Sequence, residues 1–94
     1  MEALQQHYRE ALPARIDALE TAHRAHINGD ADALESINRI AHTLKGTGGT
    51  YGFGKITAAA DAVGLAGSGE LVKKVDALLA VLRDVAGGGV AGQP

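Results

Sequence analysis

The chain has 94 residues with a formal net charge of -2, and 46% of its side chains are hydrophobic but only 3% are aromatic. This length accommodates one small domain and is too short for most two-lobed enzyme architectures. Neither charge sign is gathered into a long block, which argues against a nucleic-acid or membrane-surface binder, and the lack of cysteine excludes disulfides and thiolate chemistry.

The first predicted element is helical and extends from about Glu2 to Ile27. Its apolar positions recur at spacings of four and three residues: Leu4, Tyr8, Leu12, Ile16 and Leu19. Pro13 lies inside this pattern, and a proline removes a backbone hydrogen bond and clashes with the preceding turn. We therefore expect a short leading helix and a second helix that begins near Leu12 or Pro13. Residues 28–30, Asn-Gly-Asp, predict the turn that follows.

Three more amphipathic helices are predicted along the chain. The strongest pattern begins near Asp30 or Asp32 and runs to about Gly49, with an apolar stripe of Leu34, Ile37, Ile40, Ala41 and Leu44. An Ala-rich helix follows Phe53 and ends at Gly64 or by residues 67–69. The last helix runs from Glu70 to about Ala86, with its apolar face formed by Leu71, Val75, Leu78, Leu82 and Val85.

Four apolar stripes on helices joined by short turns can be buried only against one another. The sequence therefore predicts an all-α fold, an antiparallel up-down four-helix bundle with a short additional N-terminal helix, over residues 1–86. Residues 87–94 are rich in glycine and lack periodicity, so we expect them to form a flexible tail.

Five of the thirteen glycines lie between positions 46 and 54. Residues 49–55 fit the phosphate-binding loop pattern G-x-x-x-x-G-K, but Ile56 stands where that loop needs a Ser or Thr hydroxyl for magnesium. The segment also follows a helical pattern instead of a strand. We therefore prefer a second interpretation, in which glycine leaves one side of a helix open to another protein.

His42 is predicted to lie on the side of its helix that faces away from the apolar stripe. Lys45, Gly46 and Gly49 follow it by three, four and seven residues, and these four residues form what we call the His42 strip. An exposed imidazole is largely unprotonated at physiological pH and is a competent nucleophile. The Lys45 ammonium would stabilise negative charge gathered on that ring. From periodicity alone, an ordinary surface histidine is the favoured interpretation of His42. The corresponding interpretation of Lys45 is a solvated lysine that forms a pair on the helix surface.

Residues 42–46 read His-Thr-Leu-Lys-Gly, and an apolar residue and glycine follow at Tyr51 and Gly52. This pattern resembles the H-x-x-K-G motif of histidine phosphotransfer domains. The turn at residues 28–30 and Leu34 are also similar to that family, and the resemblance covers roughly Leu4 to Val85.

The resemblance implies a phosphoryl carrier in a two-component phosphorelay, without kinase activity of its own. His42 would accept a phosphoryl group from a receiver-domain aspartyl phosphate and pass it to another receiver, Lys45 would contact its oxygens, and Gly46 would permit approach. Arg39 and Gly49 are expected to contact the partner. The chain itself would bind no cofactor, because the Mg²⁺ ion belongs to the receiver. The expected partners are response-regulator receivers and a hybrid sensor histidine kinase, and we expect a monomer.

Two alternatives remain open at this stage. The first is a four-helix interaction module that binds a receiver or kinase and is never phosphorylated. The second is the phosphoacceptor domain of a chemotaxis-type histidine kinase. Thr47, Gly48 and Gly49 depart from the small Ser or Ala residues usual in the family, which leads us to expect fraying or bending of the helix there.

His23 and His26 are spaced like two ligands on one helix face, and with His7 or a carboxylate they would complete a metal site. Because both also continue the apolar stripe of the first helix, we prefer a position at the edge of the bundle and expect no metal. Tyr51 and Phe53 are predicted to close one end of the bundle.

The N-terminal residues lack the positive charge and apolar run of a signal peptide, and no segment approaches the roughly 20 apolar residues that span a bilayer. We therefore expect a cytoplasmic location.

Overall fold

The computed structural model describes residues 2–67 and 69–87. It contains four helices, α1 (Glu2–Ile27), α2 (Ala33–Thr50), α3 (Gly54–Leu65) and α4 (Leu71–Ala86), and no strand occurs within these residues. The all-α prediction is therefore confirmed. The tail predicted over residues 87–94 lies, except for Gly87, outside the described residues.

The two turns that border α2 use the expected chemistry. Before α2, Gly29 has a φ of +92°, and the Asp30 carboxylate accepts a hydrogen bond of 2.9 Å from the Asp32 backbone N–H. After α2, Gly52 has a φ of +86°, and the Phe53 N–H donates to the Gly48 carbonyl at 2.7 Å. Glycine is favoured at both positive φ values because a Cβ would clash with the backbone there.

Pro13 does not divide the first helix, so the predicted additional N-terminal helix is not observed. Residues Glu2–Ile27 form one helix with Pro13 inside it. The proline side chain is exposed, whereas Tyr8 and Leu12 before it and Leu19 after it are buried in one core. Burial on both sides of the proline offsets the loss of one backbone hydrogen bond.

Each helix packs against two others: α1 against α2 and α4, and α3 against α2 and α4. The direct contacts relate opposite ends of α1 and α2, since Gln5 Nε2 donates to the Tyr51 carbonyl at 3.0 Å and the Tyr8 hydroxyl lies 2.9 Å from Thr47 Oγ1. Near the other end of α1, Arg83 of α4 donates to Glu20. The result is a bundle of helices around one core.

Apart from Tyr8, the buried core consists of aliphatic side chains from all four helices. Its largest fully buried members are Leu12, Leu19, Ile37, Leu44, Ile56, Val63, Val75, Leu78, Leu82 and Val85. Two residues that periodicity assigns to the stripes are instead exposed, Leu4 at 53% and Leu34 at 42%. Leu34 lies in the first turn of α2, where the buried position is the adjacent Ala33.

Aromatic rings close one end of the bundle, as predicted for Tyr51 and Phe53. Tyr8 stacks on Tyr51 with ring centroids 4.8 Å apart and on Phe53 at 5.5 Å. The Arg9 guanidinium lies over the Phe53 ring at 5.3 Å. In the part of the chain that the structure describes, no helix has both the length and the hydrophobicity required to cross a membrane.

Candidate functional site

His42 projects from α2 into solvent because its neighbours on that helix face the core. Ile37, Ala41 and Leu44 are buried, and His42 is exposed, as the sequence predicts. Among the described residues, no side chain or backbone group hydrogen-bonds to the His42 ring. The ring is therefore exposed and not engaged by another described part of the domain.

A lysine and an aspartate form an ion pair beside His42. Lys45, one turn after His42 on α2, places its Nζ 2.8 Å from Oδ1 of Asp61 on α3, and the two side chains are 49% and 45% exposed. Lys45 was predicted from its spacing after His42, whereas Asp61 was not predicted. The sequence feature that could have indicated Asp61 is that it is the only acidic residue of α3 and directly follows the buried Ala60.

These side chains border a pocket of about 340 Å³ between α2 and α3. Its polar lining comes from Asn38, His42 and Lys45 on α2 and from Asp61 on α3. Gly64 contributes backbone only to the α3 side. The His42 ring, a cation and an anion thus meet in one solvent-open depression.

The backbone around Lys45 is tied to α3. The Thr57 hydroxyl donates a hydrogen bond of 2.9 Å to the Lys45 carbonyl, and Thr57 lies one turn before Asp61 on the same helix. Both the main chain and the ammonium of Lys45 therefore contact α3.

The glycines after His42 divide into two kinds. A Cβ built at Gly46 meets no atom within 4 Å, whereas one at Gly48 would lie 2.9 Å from Thr57 Oγ1 and 3.1 Å from Ile56 Cβ. Gly48, which the sequence left without a role, therefore permits close packing of α2 against α3. A Cβ at Gly49 would be 3.5 Å from Thr57 Oγ1, which is ordinary contact.

The expected fraying of α2 near these glycines is not observed. The helix continues to Thr50, and the hydroxyls of Thr47 and Thr50 donate to the carbonyls of Thr43 and Gly46, both at 3.0 Å. Residues 49–55, which fit the phosphate-loop pattern, form the end of α2, a turn and the start of α3. They do not follow a strand.

Arg39 lies one turn before His42 but borders a different depression. It is exposed and lines a groove between α1 and α2 that also includes Asp30 and Asp32. The structure therefore does not bring Arg39 into the pocket beside His42. Its predicted contact with a partner, like that of Gly49, stays a prediction.

His23 is buried, which corrects its predicted position at the bundle edge. It is 7% exposed, and its Nε2 lies 3.0 Å from Oδ1 of Asp76 on α4. Its Nδ1 is buried and has no hydrogen-bond partner. His26 is half-buried, and within the described ranges no group of three or more His, Asp or Glu side chains is arranged to hold a metal ion.

Comparison with known families decides the class of the domain. The family model described as Hpt domain matches residues 3–86. The chain belongs to the Hpt domain family. Hpt domains are helical bundles that serve histidine phosphotransfer in two-component signalling, interact with response-regulator receivers, and are phosphocarriers rather than enzymes. Neither a curated protein nor a solved structure matches the chain significantly.

Proposed function

We propose that this Hpt domain accepts a phosphoryl group on His42 from the aspartyl phosphate of one receiver domain and passes it to the aspartate of another. The observation that carries the proposal is the exposed, unpartnered His42 ring in a pocket that also contains the Lys45 ammonium. A buried ring would not be able to meet the partner's phosphoryl group.

Transfer to His42 exchanges one bond to phosphorus for another. The lone pair of the unprotonated His42 ring nitrogen forms a bond to phosphorus while the bond between phosphorus and the aspartyl oxygen breaks. The receiver carboxylate leaves with that electron pair, and the proton on the other ring nitrogen stays in place or is lost to water. The reverse sequence, with a second receiver carboxylate as nucleophile, discharges His42.

The residues around His42 supply charge and space. Phosphoryl transfer depends mainly on positioning and on neutralising the phosphoryl oxygens. We assign Lys45 to the neutralising role on this chain, and the receiver supplies Mg²⁺ for the donor side. Because no neighbour within 4 Å requires a glycine at Gly46, we assign its missing side chain to partner approach.

Phosphotransfer from a labelled receiver tests this proposal. A purified receiver is charged with radiolabelled acetyl phosphate and Mg²⁺, freed of the small molecule, and mixed with this domain. We expect label on the wild-type domain and none on His42→Gln. A second, unlabelled receiver added afterwards should remove the label.

The matched control is His7→Gln, because His7 is also exposed on a helix but lies outside the pocket. This variant should accept label like the wild type. Label on His42→Gln would contradict the assignment of the acceptor. Receiver binding without any label would favour an interaction module, and labelling only by a kinase would favour the chemotaxis-type alternative.

A further inference from the structure

Asp61 has no role in the transfer step described above, although it contacts a residue that does. In the unphosphorylated domain the Lys45 ammonium is paired with Asp61 at 2.8 Å. A phosphoryl group on His42 would bring two or more anionic oxygens to the same pocket, since His42, Lys45 and Asp61 all line it. One ammonium then faces two kinds of anion.

We propose that Asp61 is a positioning residue that competes with the phosphoryl group for Lys45 and thereby lowers the affinity of His42 for phosphoryl. This inference rests on the proposed function. In the resting domain Asp61 holds the lysine at the pocket. After transfer the lysine turns to the phosphoryl oxygens, and the Asp61 carboxylate is left without its counter-ion.

The exposure of the pair makes this exchange feasible. Both side chains are about half exposed, and ion pairs of that kind are weak because water solvates the separated charges. The lysine is also anchored at its backbone by Thr57, so releasing the ammonium from Asp61 does not release the residue from α3. Lys45 can therefore change its partner without a change in helix packing.

Competition of this kind suits a carrier. A phosphoryl group held too firmly on His42 would not be released to the next receiver, because stabilising the phosphohistidine makes onward transfer less favourable. Asp61 keeps the phosphohistidine less stable than Lys45 alone would make it. The pair therefore sets the balance between charging and discharging.

The experiment measures how label distributes at equilibrium between one receiver and this domain. We expect Asp61→Asn to shift the partition toward phospho-His42 by about threefold, which corresponds to ~0.7 kcal/mol at 1.4 kcal/mol per tenfold. Asp61→Glu, which keeps the charge, should remain close to the wild type. Asp84→Asn is the matched control, since Asp84 is exposed on α4 and forms no ion pair with the residues described.

A second measurement separates competition from a structural role. In a Lys45→Gln background, Asp61→Asn should produce a smaller shift, because the competition requires the ammonium. In the protein that retains Lys45, the shift caused by Asp61→Asn should also shrink at high salt, because salt screens exposed charges. If Asp61→Asn acted through lost packing instead, the shift in partition would depend neither on Lys45 nor on salt.

The inference is overturned if Asp61→Asn leaves the partition unchanged or moves it toward the receiver, or if its effect is equally large without Lys45. These outcomes differ from failure of the proposed function, in which the wild-type domain itself acquires no label on His42. A thermal melt of each variant verifies that it is folded.

Discussion

Two histidines of the bundle have different surroundings, although each lies near an aspartate of a second helix. His23 lies where α1 meets α4, and His42 lies where α2 meets α3. The Nε2 of His23 is 3.0 Å from Asp76, and the residue is 7% exposed. His42 is exposed, and its neighbouring Asp61 pairs with Lys45 instead. The same residue types thus produce a structural contact on one side of the bundle and an open nucleophile on the other.

The partner of the aspartate differs between the two sites. Where α1 meets α4, no lysine competes for Asp76 in the described residues, and the aspartate pairs with the histidine. Where α2 meets α3, Asp61 pairs with Lys45, and no described residue hydrogen-bonds to the His42 ring. The two sites thus differ in the partner of the aspartate, which is a histidine where α1 meets α4 and a lysine where α2 meets α3.

The largest expected effect is a difference in stability between two alanine variants that test the packing of α2 on α3. Gly48→Ala should destabilise the fold by about 1 kcal/mol, because strain from a Cβ against Ile56 outweighs the helix propensity gained. Gly46→Ala is the same change two residues earlier, where nothing lies within 4 Å, and should stabilise the fold by up to ~1 kcal/mol.

Chemical unfolding of the two alanine variants measures this difference of about 2 kcal/mol. Equal stabilities would show that α3 yields to the added methyl group. In that case Gly48 would not account for the close contact between the two helices.

Loss of the cation beside His42 should have the next largest effect. We expect Lys45→Ala to slow phosphotransfer from a receiver about tenfold, equivalent to ~1.4 kcal/mol of transition-state stabilisation. Binding of the unphosphorylated receiver and the thermal melt should change little, because the Lys45 side chain is half exposed.

The control is Lys73→Ala, an exposed lysine of α4 outside the pocket. Rapid-quench measurement of label transfer distinguishes the two variants. Equal rates for Lys45→Ala and the wild type would remove Lys45 from the transfer step.

The smallest effect is expected at the contact between α1 and α4. Asp76→Asn should lower the free energy of unfolding by about 0.5–1 kcal/mol, because the aspartate end of its pair is largely exposed. Phosphotransfer should be unchanged. Denaturant unfolding together with the label-transfer assay checks both statements, and slower transfer would mean that the two sides of the bundle are coupled.

Helix positions and the exposure of His42 could be predicted from the sequence because both depend on local periodicity. Apolar residues at three- and four-residue spacings determine which face of a helix is buried, and His42 lies outside that face of α2. The prediction failed at Pro13, where local preference favours a break but buried contacts on either side maintain one helix. Sequence periodicity and residue type indicate the local preference for a helix but not the tertiary contacts that maintain it.

The sequence by itself thus determined the helical class, the approximate ends of α2, α3 and α4, and a solvent-facing histidine followed by a lysine. Only the tertiary structure decided that Asp61 holds Lys45, that Gly48 brings α2 close to α3, and that His23 is buried against Asp76. Each of these contacts joins residues of two different helices. Their formation depends on the rotation and spacing of packed helices, which side-chain shape across the whole core establishes.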